Sequence, residues 1–277
     1  MTKTWLVTGT SSGFGRELAT LLAQQADINL VATARKLSDL SYLDAFDHGQ
    51  IAKTLLDVTN TAQISATVRT AQERFGGIDV LVNNAGLGYF ATIEESDEAA
   101  VRHMFEVNVF GLAAMTKAVL PSMRHQKSGT IVNLSSALGL VTLPTMGYYS
   151  ATKFAVEGYS EALQQEVAAL GIDVMIVEPS GARTNWAGKS SQKTIPIIAD
   201  YAQFKDQVAG TNASVGSEPG DPKEIARLIF EQVTATTPTP KHLPLGHFAS
   251  VGAQSHLTEL LSEIKGVAAL SERADQA

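Results

Sequence analysis

The chain has 277 residues, a net charge of -7, a hydrophobic content of 44% and no cysteine. That length suits one α/β domain (1–277), the acidic balance argues against a nucleic-acid binder, and the missing cysteine excludes disulfides and thiolate metal sites. Met1-Thr2-Lys3 leads straight into an apolar strand without signal-peptide architecture, and no apolar run is long enough to span a bilayer. A cytoplasmic protein without membrane partners is expected.

Short apolar runs alternate with longer helix-like stretches, the pattern of βαβ units around a buried parallel sheet. The first predicted strand, 5–7, precedes a helix at 15–24 with Leu18, Leu21 and Leu22 on one face. Strands at 28–34, 51–56 and 79–83 lead to a long Ala- and Leu-rich helix at 101–123. A strand at 130–135 precedes a second long helix at 151–170, with Gly171 as its C-terminal stop. After a strand at 173–178 the pattern weakens. The stretch 185–220 is read as a lid over a substrate pocket, in competition with a plain surface excursion. Asp221-Pro222-Lys223-Glu224 then starts a helix at 222–233, with Asp221 as cap, Pro222 at the first position and Glu224 completing a capping box. A short strand at 242–245 follows, and the tail from about Gly266 reads as polar and frayed.

Gly9-x-x-x-Gly13-x-Gly15 follows a strand and opens a helix, the context in which glycines seat a dinucleotide pyrophosphate. Thr10, Ser11, Ser12 and Phe14 complete that loop. At the end of the second strand Ala34 offers no carboxylate for the adenosine ribose, whereas Arg35 can pair with a 2'-phosphate. NADP(H) is therefore the expected cofactor, with NAD(H) possible. Asp57-Val58 and Asn83-Asn84-Ala85-Gly86 end the third and fourth strands, where they suit contacts to the adenine and ribose; either group alone also reads as turn chemistry.

Tyr149-x-x-x-Lys153 places an ammonium one helical turn from a phenol. A positive charge there is expected to lower the phenol pKa, making Tyr149 a proton donor or acceptor for an alcohol oxygen. Ser136 ends the preceding strand, with Ser135 as its competitor. Tyr148 competes with Tyr149 but is followed one turn later by the uncharged Thr152. Asn108 sits in an alanine-rich helix, where asparagine is locally unfavourable and needs a reason. No His/Asp spacing suggests a metal.

These motifs, in this order, resemble the single-domain branch of the short-chain dehydrogenase/reductase family from Lys3 to about Thr184. The resemblance implies a Rossmann-type, doubly wound α/β fold with about seven parallel strands and helices on both faces. It also implies homodimers or homotetramers packed through the two long helices. The implied tetrad is Asn108, Ser136, Tyr149 and Lys153. In it Ser136 fixes a substrate carbonyl, Tyr149 protonates it, Lys153 also grips the nicotinamide ribose, and Asn108 holds a water linked to Lys153. Pro179-Ser180-Gly181-Ala182-Arg183-Thr184 resembles the family's Pro-Gly loop, with Thr184 on the carboxamide and Ser180 standing where glycine is usual.

Leu87 to Phe90, Ala137 to Leu140, Leu143, Trp186 and the isoleucines near 197 form a candidate apolar pocket, and equally read as core packing. The pocket reading favours hydride transfer with a hydrophobic ketone, aldehyde or secondary alcohol. The competing functional class is a dinucleotide-sensing regulator that kept the fold and lost the chemistry. A sugar-nucleotide epimerase of the longer family branch needs a larger C-terminal domain than this chain can hold.

Overall fold

The computed structural model describes residues 2–213 and 215–275. Its first half runs through β1 (Lys3–Val7), α1 (Gly13–Ala23), β2 (Ile28–Ala34), β3 (Ile51–Leu55), α2 (Thr61–Phe75), β4 (Val80–Asn83), β5 (Gly88–Phe90), α3 (Glu98–Phe105), α4 (Leu112–Gln126) and β6 (Gly129–Leu134). The second half adds α5 (Gly147–Val167), β7 (Ile172–Pro179), β8 (Ser191–Lys193), α6 (Lys205–Gly210), α7 (Pro222–Thr234), β9 (His242–Leu245), α8 (Ala253–Gly266) and α9 (Ala268–Ser271). Seven strands form one parallel sheet in the order β3-β2-β1-β4-β6-β7-β9, while β5 and β8 pair separately.

Alternation along β1 explains the two layers. Trp5 and Val7 pack against Leu18 and Leu22 of α1 and Ile225 and Ile229 of α7. Leu6, between them, faces the opposite layer with Ile64, Val68, Met115, Val119 and Leu163 of α2, α4 and α5. Both faces are buried, which is why the strands read as continuous apolar runs.

Several helix boundaries follow from local chemistry. The Asn60 side-chain oxygen accepts from Ala62 and Gln63 N–H at the start of α2. Gly171 ends the turn after α5 in left-handed backbone, φ 72°, as expected. Asp221 caps α7 by accepting from Lys223 N–H at 2.9 Å. The expected capping box does not form, because the Glu224 carboxylate turns to the Arg227 guanidinium instead.

The long helix predicted at 101–123 begins earlier, capped by Asp97 on Ala100 N–H, and is broken by a π-turn over Glu106–Gly111. A polar, frayed tail is expected from about Gly266, where α8 ends. Helix continues through α8 and α9 to a turn at Glu272–Asp275, with Leu257, Leu260, Leu261 and Ile264 exposed on α8. The last two residues of that tail lie outside the described residues. Among the described residues no helix is long and apolar enough to cross a membrane.

Candidate active site

The strand order switches direction between β1 and β4, opening a cleft at their C-terminal ends, where open parallel sheets bind ligands. The turn after β1 forms one side. Gly9 and Gly13 hold left-handed backbone at φ 70° and 57°, which a side chain would strain. Gly15 is required by space: a Cβ there would lie 2.4 Å from Asn84 Nδ2 and 2.5 Å from the Gly9 carbonyl oxygen. Asn84 Nδ2 donates to the carbonyls of Thr8 (2.8 Å) and Gly9 (3.0 Å), locking the turn to the end of β4. Ser12 makes no side-chain cap bond at the start of α1. The first N–H groups of that helix are therefore available to an anion in the cleft.

Of the predicted cofactor residues, Gly9, Ser11, Ser12, Gly13, Phe14, Arg35, Asp57, Val58, Asn84, Ala85, Gly86, Tyr149, Lys153 and Thr184 share the wall of this cleft. Thr10, Gly15, Pro179 and Gly181 are placed differently. Thr10 is a buried brace: its hydroxyl donates to Thr33 O at 3.1 Å and its carbonyl accepts the Tyr42 hydroxyl at 2.7 Å. Gly15 lies behind the turn, against Asn84. Pro179 pairs with Leu245 inside the sheet, and Gly181 faces Glu218 outside it. The path departs here because Ser180 turns inward, its hydroxyl accepting from Ala249 N–H at 2.8 Å in space left by Gly246.

Asp57 shows how the adenosine end is charged. Burial alone would raise its pKa, but hydrogen bonds from the Thr59 hydroxyl and N–H, with Arg35 and His103 nearby, hold it below the ordinary value. Leu56, His103, Val107 and Asn185 also line the cleft. No sequence signal singled out His103 or Val107, which reach it only through the path of α3 and the π-turn.

Tyr149 and Lys153 come from the first turns of α5, each only 6% exposed, with the Lys153 ammonium 5.7 Å from the Tyr149 ring centre. Lys153 Nζ donates to Leu134 O at 2.7 Å, and burial pulls its pKa down to about 8, against an opposing effect of Glu157. The expected acidification of the phenol is corrected: burial pushes the Tyr149 pKa up, and only the hydrogen bond with Ser136 works the other way. The phenol is thus held in its protonated form.

Ser136 faces Tyr149 and its hydroxyl accepts from Leu138 N–H at 3.1 Å, outside the residues that line the cleft; Ser135, buried against Glu157, does line it. Asn108 projects from the π-turn, where the extra residue per turn turns it into the interior. Its Nδ2 donates to Leu87 O (2.9 Å) and Thr152 Oγ1 (3.1 Å), and its Oδ1 accepts from Leu87 N–H (2.7 Å). The asparagine therefore clamps the strand end leading to β5, which accounts for its unfavourable place in a helix.

Beside the phenol lies an apolar cluster of Tyr89, Leu138, Val141, Met146 and Tyr149, with Leu87, Phe90, Tyr148 and Trp186 packed on it. Trp186 lies over the phenol, ring centres 4.8 Å apart. Several expected members are absent from it, among them Ala137, Ile195 and Ile198, with Ile197 90% exposed and Leu143 42% exposed.

A family model described as short chain dehydrogenase matches residues 3–195, more than half of the chain. The chain belongs to the short-chain dehydrogenase/reductase family. It is 37% identical over 249 residues to "Oxidoreductase BOA17" of Botryotinia fuckeliana, covering 89% of both chains. It is 32% identical over 251 residues to "Retinol dehydrogenase 8" of Bos taurus, covering 85% of this chain and 79% of the relative. A crystal structure of a short-chain dehydrogenase from Streptomyces avermitilis, 37% identical, superposes with a TM-score of 0.87 over 98% of both chains. As a short-chain dehydrogenase/reductase the chain is an NAD(P)-dependent oxidoreductase with a small-molecule substrate, and the fold expected from its sequence is the one observed.

Proposed function

We propose that this short-chain dehydrogenase/reductase is an NADP(H)-preferring carbonyl reductase for hydrophobic ketones or aldehydes, able also to oxidise the corresponding secondary alcohols. The observation that carries this reading is the shared cleft: Tyr149 and Lys153 border the same space as the turn that seats a dinucleotide. The residues present fit such a cofactor, since three glycine-dependent approaches and an uncapped helix start leave room and N–H groups for a pyrophosphate. Arg35, exposed at the adenosine end and without a carboxylate at Ala34, supports the 2'-phosphate preference.

When bound, the nicotinamide cofactor supplies a hydride to the carbonyl carbon. The chain's own residues handle the oxygen. Ser136 donates a hydrogen bond that fixes it, and Tyr149 gives it a proton. A phenol kept protonated by burial is the form that reduction consumes, and the charge growing on the oxygen draws its proton across. Lys153 steadies the resulting phenolate and grips the nicotinamide ribose. The apolar cluster and Trp186 keep water from the phenol, and the relative named as a retinol dehydrogenase supports a hydrophobic substrate. The stretch 185–220 acts as the lid, through Trp186. Assembly as a homodimer or homotetramer belongs to the same reading.

The test is NADPH consumption across a panel of ketones, aldehydes and quinones, with Tyr149→Phe beside the parent chain. Turnover that disappears in the variant supports the proposal. Binding of NADPH without turnover on any of them overturns it in favour of a dinucleotide sensor, and better catalytic efficiency with NADH overturns the cofactor preference.

A further inference from the structure

Beneath Lys153, away from the cleft, the fold gathers three ionisable groups that no step above uses. Glu157 follows Lys153 by one turn of α5 and is 6% exposed; Glu178, in β7, is fully buried. His242 of β9 closes the group, donating or accepting between Nδ1 and Glu178 Oε1 at 2.7 Å, with Nδ1 3.7 Å from Glu157 Oε2. One oxygen of each carboxylate and one imidazole nitrogen all lie within 4.8 Å of one another. Glu178 is fully provided for, since its second oxygen accepts from Leu243 N–H at 2.9 Å. Glu157 is less well provided for: Ser135 and His242 lie beside its carboxylate, but neither oxygen makes a well-formed hydrogen bond among the described residues. A buried carboxylate so weakly partnered is costly, so its position needs a reason.

We propose that Glu157 is a positioning residue for the proton transfer, its carboxylate holding Lys153 in the ammonium form while Glu178 and His242 link that carboxylate's charge to the surface. The inference rests on the carbonyl-reductase reading above. The groups facing Glu157 are Lys153 on its own helix, Ser135 after β6, Glu178 of β7 and His242 of β9; Glu161, exposed, approaches the outer nitrogen of His242 at 3.8 Å.

Burial works against the charge on both partners. It draws Lys153 down to about 8 and pushes Glu157 up to about 7, a shift that Glu178 reinforces and Ser135, His242 and Lys153 oppose. Each charge offsets part of the other's desolvation, so the two ionised groups support one another. Without the carboxylate, desolvation of Lys153 is unopposed and the ammonium is lost at lower pH. His242, 39% exposed at its side chain, is the end of the cluster that solvent reaches.

Two measurements on the full chain test this. The first is the pH dependence of kcat/KM for NADPH-dependent carbonyl reduction; the second is the pH dependence of NADPH affinity by fluorescence, which reads Lys153 on the ribose without turnover. In Glu157→Gln the alkaline limb of both should move down by about one pH unit, a loss of about fivefold at the parent's midpoint that approaches about tenfold higher on the limb. Glu157→Asp should restore most of it, and His242→Gln should move it the same way by less. A folded Glu157→Gln whose limbs stay in place, with activity lowered equally at every pH, overturns the inference and leaves the cluster a structural clasp. If the parent chain binds NADPH yet turns over no carbonyl, the proposed function fails instead, and the affinity limb still decides the role of Glu157.

Discussion

The turn after β1 and the stretch from Asn185 to Gly220 both border the cleft, but they are held in contrasting ways. Around the turn, bonds reach across the chain: Asn84 to Thr8 and Gly9, Thr10 to Thr33, Tyr42 to Thr10. In the other stretch most side-chain bonds are local, such as Ser191 Oγ to Trp186 O and Lys193 Nζ to Ala187 O, both 2.6 Å. Its ties to the rest include the β5–β8 pairing, Glu95, whose carboxylate accepts from Ile197 and Ile198 N–H, the Tyr89–Thr194 and Tyr201–Glu94 bonds, and Arg183 on the carbonyls of Glu218 and Pro219. A seat built from backbone carbonyls and missing Cβ atoms cannot be adjusted piecemeal. A rim held mainly by side chains on its own surface can change one contact at a time. A single substitution should therefore cost more in the first region than in the second.

The comparison can be broken from either side. Tyr149→Phe, where both regions meet, should cost roughly 10²- to 10⁴-fold in kcat/KM while NADPH affinity changes little; a loss below tenfold would remove the phenol from the mechanism. Gly15→Ala should lower stability by about 1–3 kcal/mol in thermal or denaturant unfolding and weaken NADPH binding, because the new methyl group meets Asn84 and Gly9. A neutral result there would show that the seat yields after all. Arg35→Ser should cut the NADPH-over-NADH preference by roughly tenfold, about 1.5 kcal/mol for one charge-assisted hydrogen bond. Trp186→Ala, on the looser side, should raise KM on the order of threefold to tenfold, as for a lost aromatic contact, and barely move Tm. A large drop in Tm would mean that the rim is as rigid as the seat.

A separate prediction concerns pH. Burial first, with smaller effects of neighbours, raises Glu157 and Glu178 from 4.5 to about 7, so across that interval the folded chain holds protons that the unfolded chain has released. Stability should therefore be fully expressed below the unfolded value and fall as pH rises through the window. Thermal unfolding of Glu157→Gln should show a shallower decline over the same range.

Where the sequence spoke clearly, the chemistry was local. Gly9, Gly13 and Gly15 declared the turn because their spacing is set by a single strand–helix corner, and Tyr149 and Lys153 declared themselves by lying one turn apart. The inner strands were legible because strands buried on both faces have no polar alternation to confuse them; the edge strand β9, exposed at His242 and Pro244, gave a weaker signal. The sequence could not show that Ser180 would turn toward Ala249 and carry Gly181 away from the cleft. Nor could it show the short helix α9 at Ala268–Ser271, past the end of α8.

By itself, then, the order of residues determined the parallel sheet, the dinucleotide turn and the tyrosine–lysine pair, since each depends on contacts within one or two adjacent elements. Only the tertiary structure decided that burial keeps the phenol protonated, that Asn108 clamps Leu87, and that Glu157, Glu178 and His242 meet under Lys153. Those outcomes depend on desolvation and on groups far apart in the chain, and neither quantity exists until the layers have closed.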